Sequence, residues 1–464
     1  MHVALSEHFT YKNIVKITLS PILMMIFTSL YTIVDGYFLS NYAGLDAYAG
    51  VNVIFPVIMV VGGMGFMFGA GGTALSSKEL GEGNKLMASK VFTMMIKTVL
   101  IVGTLISVLG FVLIRPIAVA LGNITNGTTE AMVEEAITYG RILSLGQVLF
   151  MTQNLFQSYF MVDEKPRLGF IYTILAGVTN MVFDFILIGV FRLGVTGAAI
   201  ATILGYAVGS IFPLIHFIGN EKGNIRLVKT KMMFRPILKS CTNGSSEFVS
   251  NISSSVVGMV FNIQLLRFYG QNGVSAYGTL MYVSFVFVSI YIGYSIGIAP
   301  VVGYNFGAKN KKELSNVLKR SLIMTTFFAI MMFLLGEFIG PLFAKLFLSS
   351  DEELLELSIH AFRLYSFHFV FCGFSLFISS FFTALNNGLI SALLSFLRTL
   401  VFQVGFVLLL PLFMGKEGIW WSIIVCEVCS FLVAFDFLFA KRKKYGYFEK
   451  KSAQQTPGEC DFGV

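Results

Sequence analysis

Charge is what this sequence has least of. Only 12% of its 464 residues are Asp, Glu, Lys or Arg, about half the share of a soluble domain. Uncharged stretches run past the roughly 18 residues that mark a transmembrane helix, so a soluble globular fold is excluded. Cysteine is scarce too: Cys241, Cys372, Cys426, Cys429 and Cys460 make no disulfide framework. Cys426-x-x-Cys429 lies inside an apolar run and reads as two small helix positions, not as a zinc or redox pair. No phosphate-cradling glycine loop occurs, which argues against direct ATP drive. No nucleophile triad or His/Glu metal cluster points to an enzyme, and no cofactor is expected. The net charge of +8 does not call for nucleic acid, because the basic residues fall in short loops between apolar runs. Met1 to Lys12 is polar, and the first apolar run contains Pro21 and Asp35. That is not a secretory signal but a first retained span.

Twelve spans follow, near 14–39, 51–75, 91–114, 136–161, 168–189, 195–218, 237–266, 275–302, 320–346, 359–385, 389–413 and 418–440. Alternate loops differ in charge: one set holds twenty Lys and Arg residues, the other only Arg115, Arg192, Arg267, Lys345 and Lys416. The positive-inside rule then places both termini in the cytoplasm. The turn from Asn386 to Leu389 lacks a basic residue. The halves repeat. Leu80-Gly-Glu-Gly-Asn84 matches Phe306-Gly-Ala-Lys-Asn310, and Gly44 matches Gly270, both at an offset of 226. Gly194-Val-Thr-Gly197 matches Gly415-Lys-Glu-Gly418 at 221, and Arg141 matches Arg363 at 222. Six spans per copy is an even number, so the repeats insert in parallel. The expected architecture is an all-α polytopic membrane protein: twelve transmembrane helices in two six-helix parallel repeats. These are an N-lobe (1–218), a cytoplasmic linker loop (219–236), a C-lobe (237–440) and a cytoplasmic tail (441–464). The tail beyond Lys451 reads as disordered.

A charge near the bilayer centre costs about 2.5–3.5 kcal/mol on insertion scales, so such residues mark function by default. Asp35, Asp184, Glu247, Arg398 and Glu427 qualify; Lys97 and Asp436 lie near span ends and can snorkel. Thr173, Gly177, Asn180 and Asp184 line one face of span 5 by helical spacing, as Thr28, Tyr31 and Asp35 do in span 1. Span 4 adds Gln147, Asn154, Gln157 and Ser158; span 6 adds Thr202 and Tyr206. Two carboxylates with carboxamides and hydroxyls suit sodium, or a proton shared by the acids. If the ion is sodium rather than a proton, Asp35, Asn180 and Asp184 are its expected ligands. In span 7, Asn243, Glu247, Asn251, Ser254, Gly258 and Asn262 form a stripe too polar for lipid. It lines a cavity, where Glu247 binds a cationic substrate or relays protons, or it packs on the other half. Arg398 and Glu427 are either a buried ion pair between neighbouring spans or functional groups. Gly205/Gly209 and Gly293/Gly297 carry the G-x-x-x-G packing signal.

Across nearly all twelve spans the sequence resembles the multidrug and toxic compound extrusion family. The residues that carry the likeness are Pro21-Ile-Leu-Met-Met25, Leu30-Tyr-Thr-Ile-Val-Asp35, Pro56 and Ser76-Ser-Lys-Glu-Leu-Gly-Glu-Gly-Asn84. Asn243-Gly-Ser-Ser-Glu-Phe-Val-Ser-Asn251 looks like the MepA-like branch. The resemblance implies a two-lobed antiporter that exports cationic amphipathic drugs against protons or sodium ions. It implies a cation-coupling site at Asp35, Asn154, Asn180, Asp184 and Thr202, with Pro21 letting span 1 bend. Glu247 fits the family's acidic position of span 7. The substrate cavity is expected at Tyr31, Gln157, Asn243, Glu247 and Asn251. Another branch pairs the span-7 acid with an aspartate on span 10. Here span 10 has His368, Ser and Thr instead, so the coupling site is expected in the N-lobe. The implied setting is the bacterial cytoplasmic membrane, and the expected state is a monomer without nucleic-acid partners. The alternative is a lipid-linked oligosaccharide flippase of the same superfamily, which would need basic residues in its cavity.

Overall fold

The computed structural model describes residues 3–124, 129–221, 223–348 and 352–448. The tail expected beyond Lys451 lies outside them. The described chain is helical, without strands: α1 (Tyr11–Phe38), α2 (Leu45–Gly81), α3 (Lys85–Ile124), α4 (Glu130–Val162), α5 (Pro166–Asp184), α6 (Gly194–Gly219), α7 (Phe234–Gly307), α8 (Lys311–Leu348), α9 (Glu352–Ala384), α10 (Gly388–Phe396), α11 (Gln403–Met414), α12 (Glu417–Ala440) and a last turn, α13 (Arg442–Tyr445). Wider π-helical turns follow α1 at Leu39–Ala43 and α5 at Phe185–Val190, and join α10 to α11 at Leu397–Phe402. Ten helices among the described residues are long and apolar enough to cross a membrane. The more polar α4 adds an eleventh, and α7 counts twice, because Gly270 (φ 62°, ψ −149°) breaks its 74 residues into two spans. Where the sequence suggested a loop between 266 and 275, one left-handed glycine makes the turn.

The repeat is written into the backbone. Residues with positive φ recur in pairs: Gly44 and Gly270, Gly83 and Lys309, Glu164 and Asn386, Gly194 and Gly415. Each pair keeps the offset of its surroundings, 226, 226, 222 and 221 residues. The caps repeat too. Asn84 Oδ1 accepts from Met87 N (3.1 Å) at the start of α3, and Asn310 Oδ1 from Glu313 N (3.1 Å) at the start of α8.

Packing is uneven along the bundle. At the end where the described chain begins and ends, one apolar core joins the repeats. It runs from Phe9, Phe92 and Tyr159 to Tyr294, Phe381 and Tyr445. Toward the opposite end it divides in two, one cluster around Ile54, Tyr139 and Tyr206 and another around Phe261, Phe369 and Trp420. The joined end is held by direct backbone contact between α2 and α7. A methyl group on Gly71 would strike Ser240 O and Gly244 N; on Gly244 it would strike Met67 O. The four residues of Gly205/Gly209 and Gly293/Gly297 also seat neighbouring helices: Gly205 and Gly209 face Ala176 and Gln153, while Gly293 and Gly297 press on Pro21.

Loops at the joined end are tied down. Leu5 N donates to Glu164 (2.6 Å) and Phe9 N to Glu313 (2.8 Å), so the first residues strap the α4–α5 turn of one repeat to α8 of the other. The segment after α6 lies along α3, with Arg226 N on Ser89, Val228 N on Thr93 and Lys97 Nζ on Thr230 O (2.8 Å). Lys239 Nζ donates to Asn386 O (2.9 Å), which brings a charge to the one turn whose sequence has none.

Candidate functional site

Asp35 ends the polar face of α1, and Asp184 is the last residue of α5 before its π turn. Their carboxyl groups meet within hydrogen-bonding range. Oδ1 of Asp35 and both oxygens of Asp184 are buried and receive no N–H or O–H donor. Close packing makes this possible: Gly177, two turns before Asp184, lets α5 settle against Phe27 and Tyr31 of α1. Two carboxylates at this range, shielded from water, are stable only with a proton between them or a cation on them. One turn back along α5, Asn180 has both amide atoms buried and unpartnered. Tyr31, Tyr139 and Tyr206 stand near enough to feel the Asp35 charge, and the Tyr139 hydroxyl lies close to Thr202. The group is rich in oxygen ligands, the chemistry of a hard cation or a proton.

The other expected residues divide. Thr202 donates to Ala198 O of its own helix (2.9 Å) while facing Tyr139. Asn154 is buried on α4 with a free Nδ2. Gln157 donates to Thr173 (3.0 Å) and tethers α4 to α5. Asn243 is fully buried at the joined end, where its Nδ2 donates to Asn386 Oδ1 (2.7 Å). Pro21 lies against Gly293 and Gly297 of α7. Tyr139 was not singled out from the sequence: a tyrosine in the first turns of a span reads as an interfacial anchor. Its only signal is membership in the same span as Asn154.

A cavity of about 370 Å³ opens beside α2 and extends into the second repeat. Glu247 and Asn251 of α7 line it, with Ser250 and Ser254 on the same helix and Arg398 on the π turn. The Glu247 carboxylate has no ion-pair or hydrogen-bond partner among the described residues. Arg398 grips Glu427 of α12: Nε lies 3.0 and 3.1 Å from the two carboxylate oxygens and Nη2 lies 2.9 Å from Oε1. Of the alternatives open in the sequence, the geometry therefore gives the ion pair. His368 Nδ1 stands 3.5 Å from the same carboxylate. No group of three or more His, Cys, Asp or Glu side chains among the described residues could hold a metal ion.

The MatE family profile matches residues 21–186 and 248–409, more than half of the chain and both repeats. The chain belongs to the MatE family. It is 25% identical over 446 residues to the multidrug export protein MepA of Staphylococcus haemolyticus, covering 92% of this chain and 93% of that protein. A crystal structure of MATE in complex with MaL6 superposes with a TM-score of 0.88 at 22% identity, over 95% of this chain and 98% of the other. The outward-facing conformation of a multidrug resistance MATE family transporter of the MOP superfamily gives 0.85 at 23%, over 93% and 96%. The fold is thus the two-lobed, twelve-helix architecture of MatE proteins. In this MatE chain the first matched segment begins at Pro21 and includes both Asp35 and Asp184, and the second includes Asn251 and Arg398.

Proposed function

We propose that this chain is a secondary active efflux antiporter of the cytoplasmic membrane, exporting cationic amphipathic compounds in exchange for protons or sodium ions. The observation that carries the reading is the Asp35–Asp184 pair, buried and without donors in a transporter fold. With both termini cytoplasmic, the joined core seals the cytoplasmic side and the divided side faces outward. A proton or sodium ion entering from outside relieves the carboxylate pair, with Asn180 and Asn154 supplying amide oxygens. A cationic substrate then loses its attraction and leaves. When the lobes rock, the ion discharges inward and the cavity reloads. Coupling of this kind is a difference in affinity between two states. The relatives named for multidrug export support the substrate class, and the lining by Phe66, Phe285, Leu376 and Tyr365 offers adaptable apolar walls. A flippase for anionic lipid-linked sugars finds less support, because Arg398, the cation that lines the cavity, is already neutralised by Glu427.

The test is dye efflux from proteoliposomes with proton and sodium gradients imposed separately, comparing wild type with Asp35→Asn. Ethidium efflux under one gradient, lost in the variant, is the expected result and names the coupling ion. Wild-type efflux by Asp35→Asn would overturn the scheme.

A further inference from the structure

A second recess lies at the joined end, apart from both the carboxylate pair and the cavity of the second repeat. It holds about 210 Å³ between α1 and the α4–α5 turn. Lys16 of α1, with Lys165 and Arg167 where α5 begins, brings three cations to its wall. Lys165 is already engaged: its Nζ lies 2.8 Å from Asp163 Oδ2 and 2.6 Å from Asn220 Oδ1. The side chains of Lys16 and Arg167 make no ion pair or hydrogen bond among the described residues. Glu164 also lines the recess, and its Oε1 accepts from Leu5 N (2.6 Å). With Glu164 and Asp163 counted, three positive charges meet two negative ones, so the recess keeps one positive charge. The first turn of α5 forms part of the wall, and a helix start favours an anion.

The positive-inside rule accounts for cations at this end, but not for their gathering around a recess. Nor does the fold require them. At the repeat offset of 222, Glu164-Lys-Pro-Arg167 stands where the second repeat has Asn386-Asn-Gly-Leu389, without a charge. Toward the middle of the bundle the surface turns apolar. By helical spacing Leu19 and Leu23 follow Lys16 on α1, and Ile171 and Leu175 follow Arg167 on α5. All four are exposed, on two helices that pack side by side. Basic pockets between transmembrane helices bind the headgroups of anionic lipids, and here the apolar tracks for the chains begin at the basic recess.

We propose that this recess holds the phosphate of an anionic phospholipid, paired to Lys16 and Arg167, with its acyl chains along Leu19, Leu23, Ile171 and Leu175. A phosphodiester carries a single negative charge, which balances the recess. In the orientation proposed above, the lipid belongs to the cytoplasmic leaflet. Its headgroup lies beside Val3 and the Leu5–Glu164 hydrogen bond, and so braces the strap formed by the first residues. The inference goes beyond the export reading and does not depend on it.

The test is native mass spectrometry of the purified full chain in neutral detergent, titrated with phosphatidylglycerol or with phosphatidylcholine. Wild type is expected to retain phosphatidylglycerol in preference. Lys16→Gln/Arg167→Gln is expected to weaken phosphatidylglycerol about tenfold and to leave phosphatidylcholine unchanged, which also shows that the variant is folded. Arg167→Gln alone, at an exposed position, is expected to lose part of the preference and serves if the double variant does not fold. Lys229→Gln/Lys231→Gln removes the same charge from exposed positions after α6 and is expected to behave as wild type. An equal loss in that control would assign the preference to general surface charge and overturn the proposal, as would a wild type that does not distinguish the two lipids. Excess inorganic phosphate is expected to leave the lipid bound; its release would assign the recess to free phosphate and overturn the lipid.

Discussion

Gly71 of α2 and Gly244 of α7 touch backbone to backbone, each filling the space where the other would need a side chain. The contact belongs to the end where a single core joins the lobes, so it exists only while that end is shut. Adding one methyl, as in Gly71→Ala, overpacks the shut state by about 1–3 kcal/mol. That is enough to move a closed–open equilibrium by roughly tenfold or more. Cys241, half-buried one turn from Gly244, reports the change. Its maleimide labelling, followed by mass spectrometry, is expected to quicken in Gly71→Ala. An unchanged rate at Cys241 would mean that the lobes do not separate at this contact.

The carboxylate pair makes a second prediction through its shared site. Asp184→Asn supplies amide hydrogens to the unpaired Oδ1 of Asp35, replacing the proton or cation that the pair requires. Ion-driven efflux is expected to fall at least about tenfold, while downhill equilibration of dye persists. Efflux that keeps its dependence on the ion gradient in this variant would remove Asp184 from the coupling step.

Glu313 gives a third. Its carboxylate accepts from Phe9 N and from Asn316 Nδ2 (both 2.8 Å), and His8 Nδ1 lies 2.8 Å away. Glu313→Ala strands these donors at a cost of about 1–3 kcal/mol and frees the strap over the α4–α5 turn. Trypsin cleavage at Lys12 is expected to accelerate in the variant, with the remaining helices still protected. Cleavage at the wild-type rate would show that Phe9, fully buried in the joined core, holds the strap unaided.

Much of this was legible in the sequence because it rests on patterns that need no partner. The twelve spans follow from apolar length, and the repeat from paired turns such as Gly44 and Gly270, whose positive φ values the backbone indeed shares. Asp35 and Asp184 stood out because a carboxylate in an apolar run has few reasons to be there. Helical spacing gives a face but not a depth or a neighbour, and there the reading thinned. The stripe through Asn243, Glu247 and Asn251 is one face of α7, yet Asn243 meets Asn386 at the joined end while Glu247 reaches the cavity. Gln157 shares a face with Asn154 but spends its amide on Thr173. Arg398 and Glu427, 29 residues apart, could be paired only on paper until the π turn at Leu397–Phe402 set the guanidinium's direction.

That ion pair supplies the last prediction. Glu427 is 2% exposed, and both of its oxygens lie on the guanidinium. Glu427→Leu alone leaves Arg398 charged and uncompensated among apolar helices, and breaking a buried pair in this way costs about 3–5 kcal/mol. Arg398→Met together with Glu427→Leu removes both charges while keeping volume, and such replacements are often neutral or stabilising. Thermal unfolding in detergent is therefore expected to drop sharply for the single variant and to recover to near the wild-type midpoint in the double. Non-additivity of this size measures the coupling directly. Losses in Glu427→Leu and in Arg398→Met that simply add would show that the charges act separately, Arg398 on the cavity that it lines and Glu427 on α12.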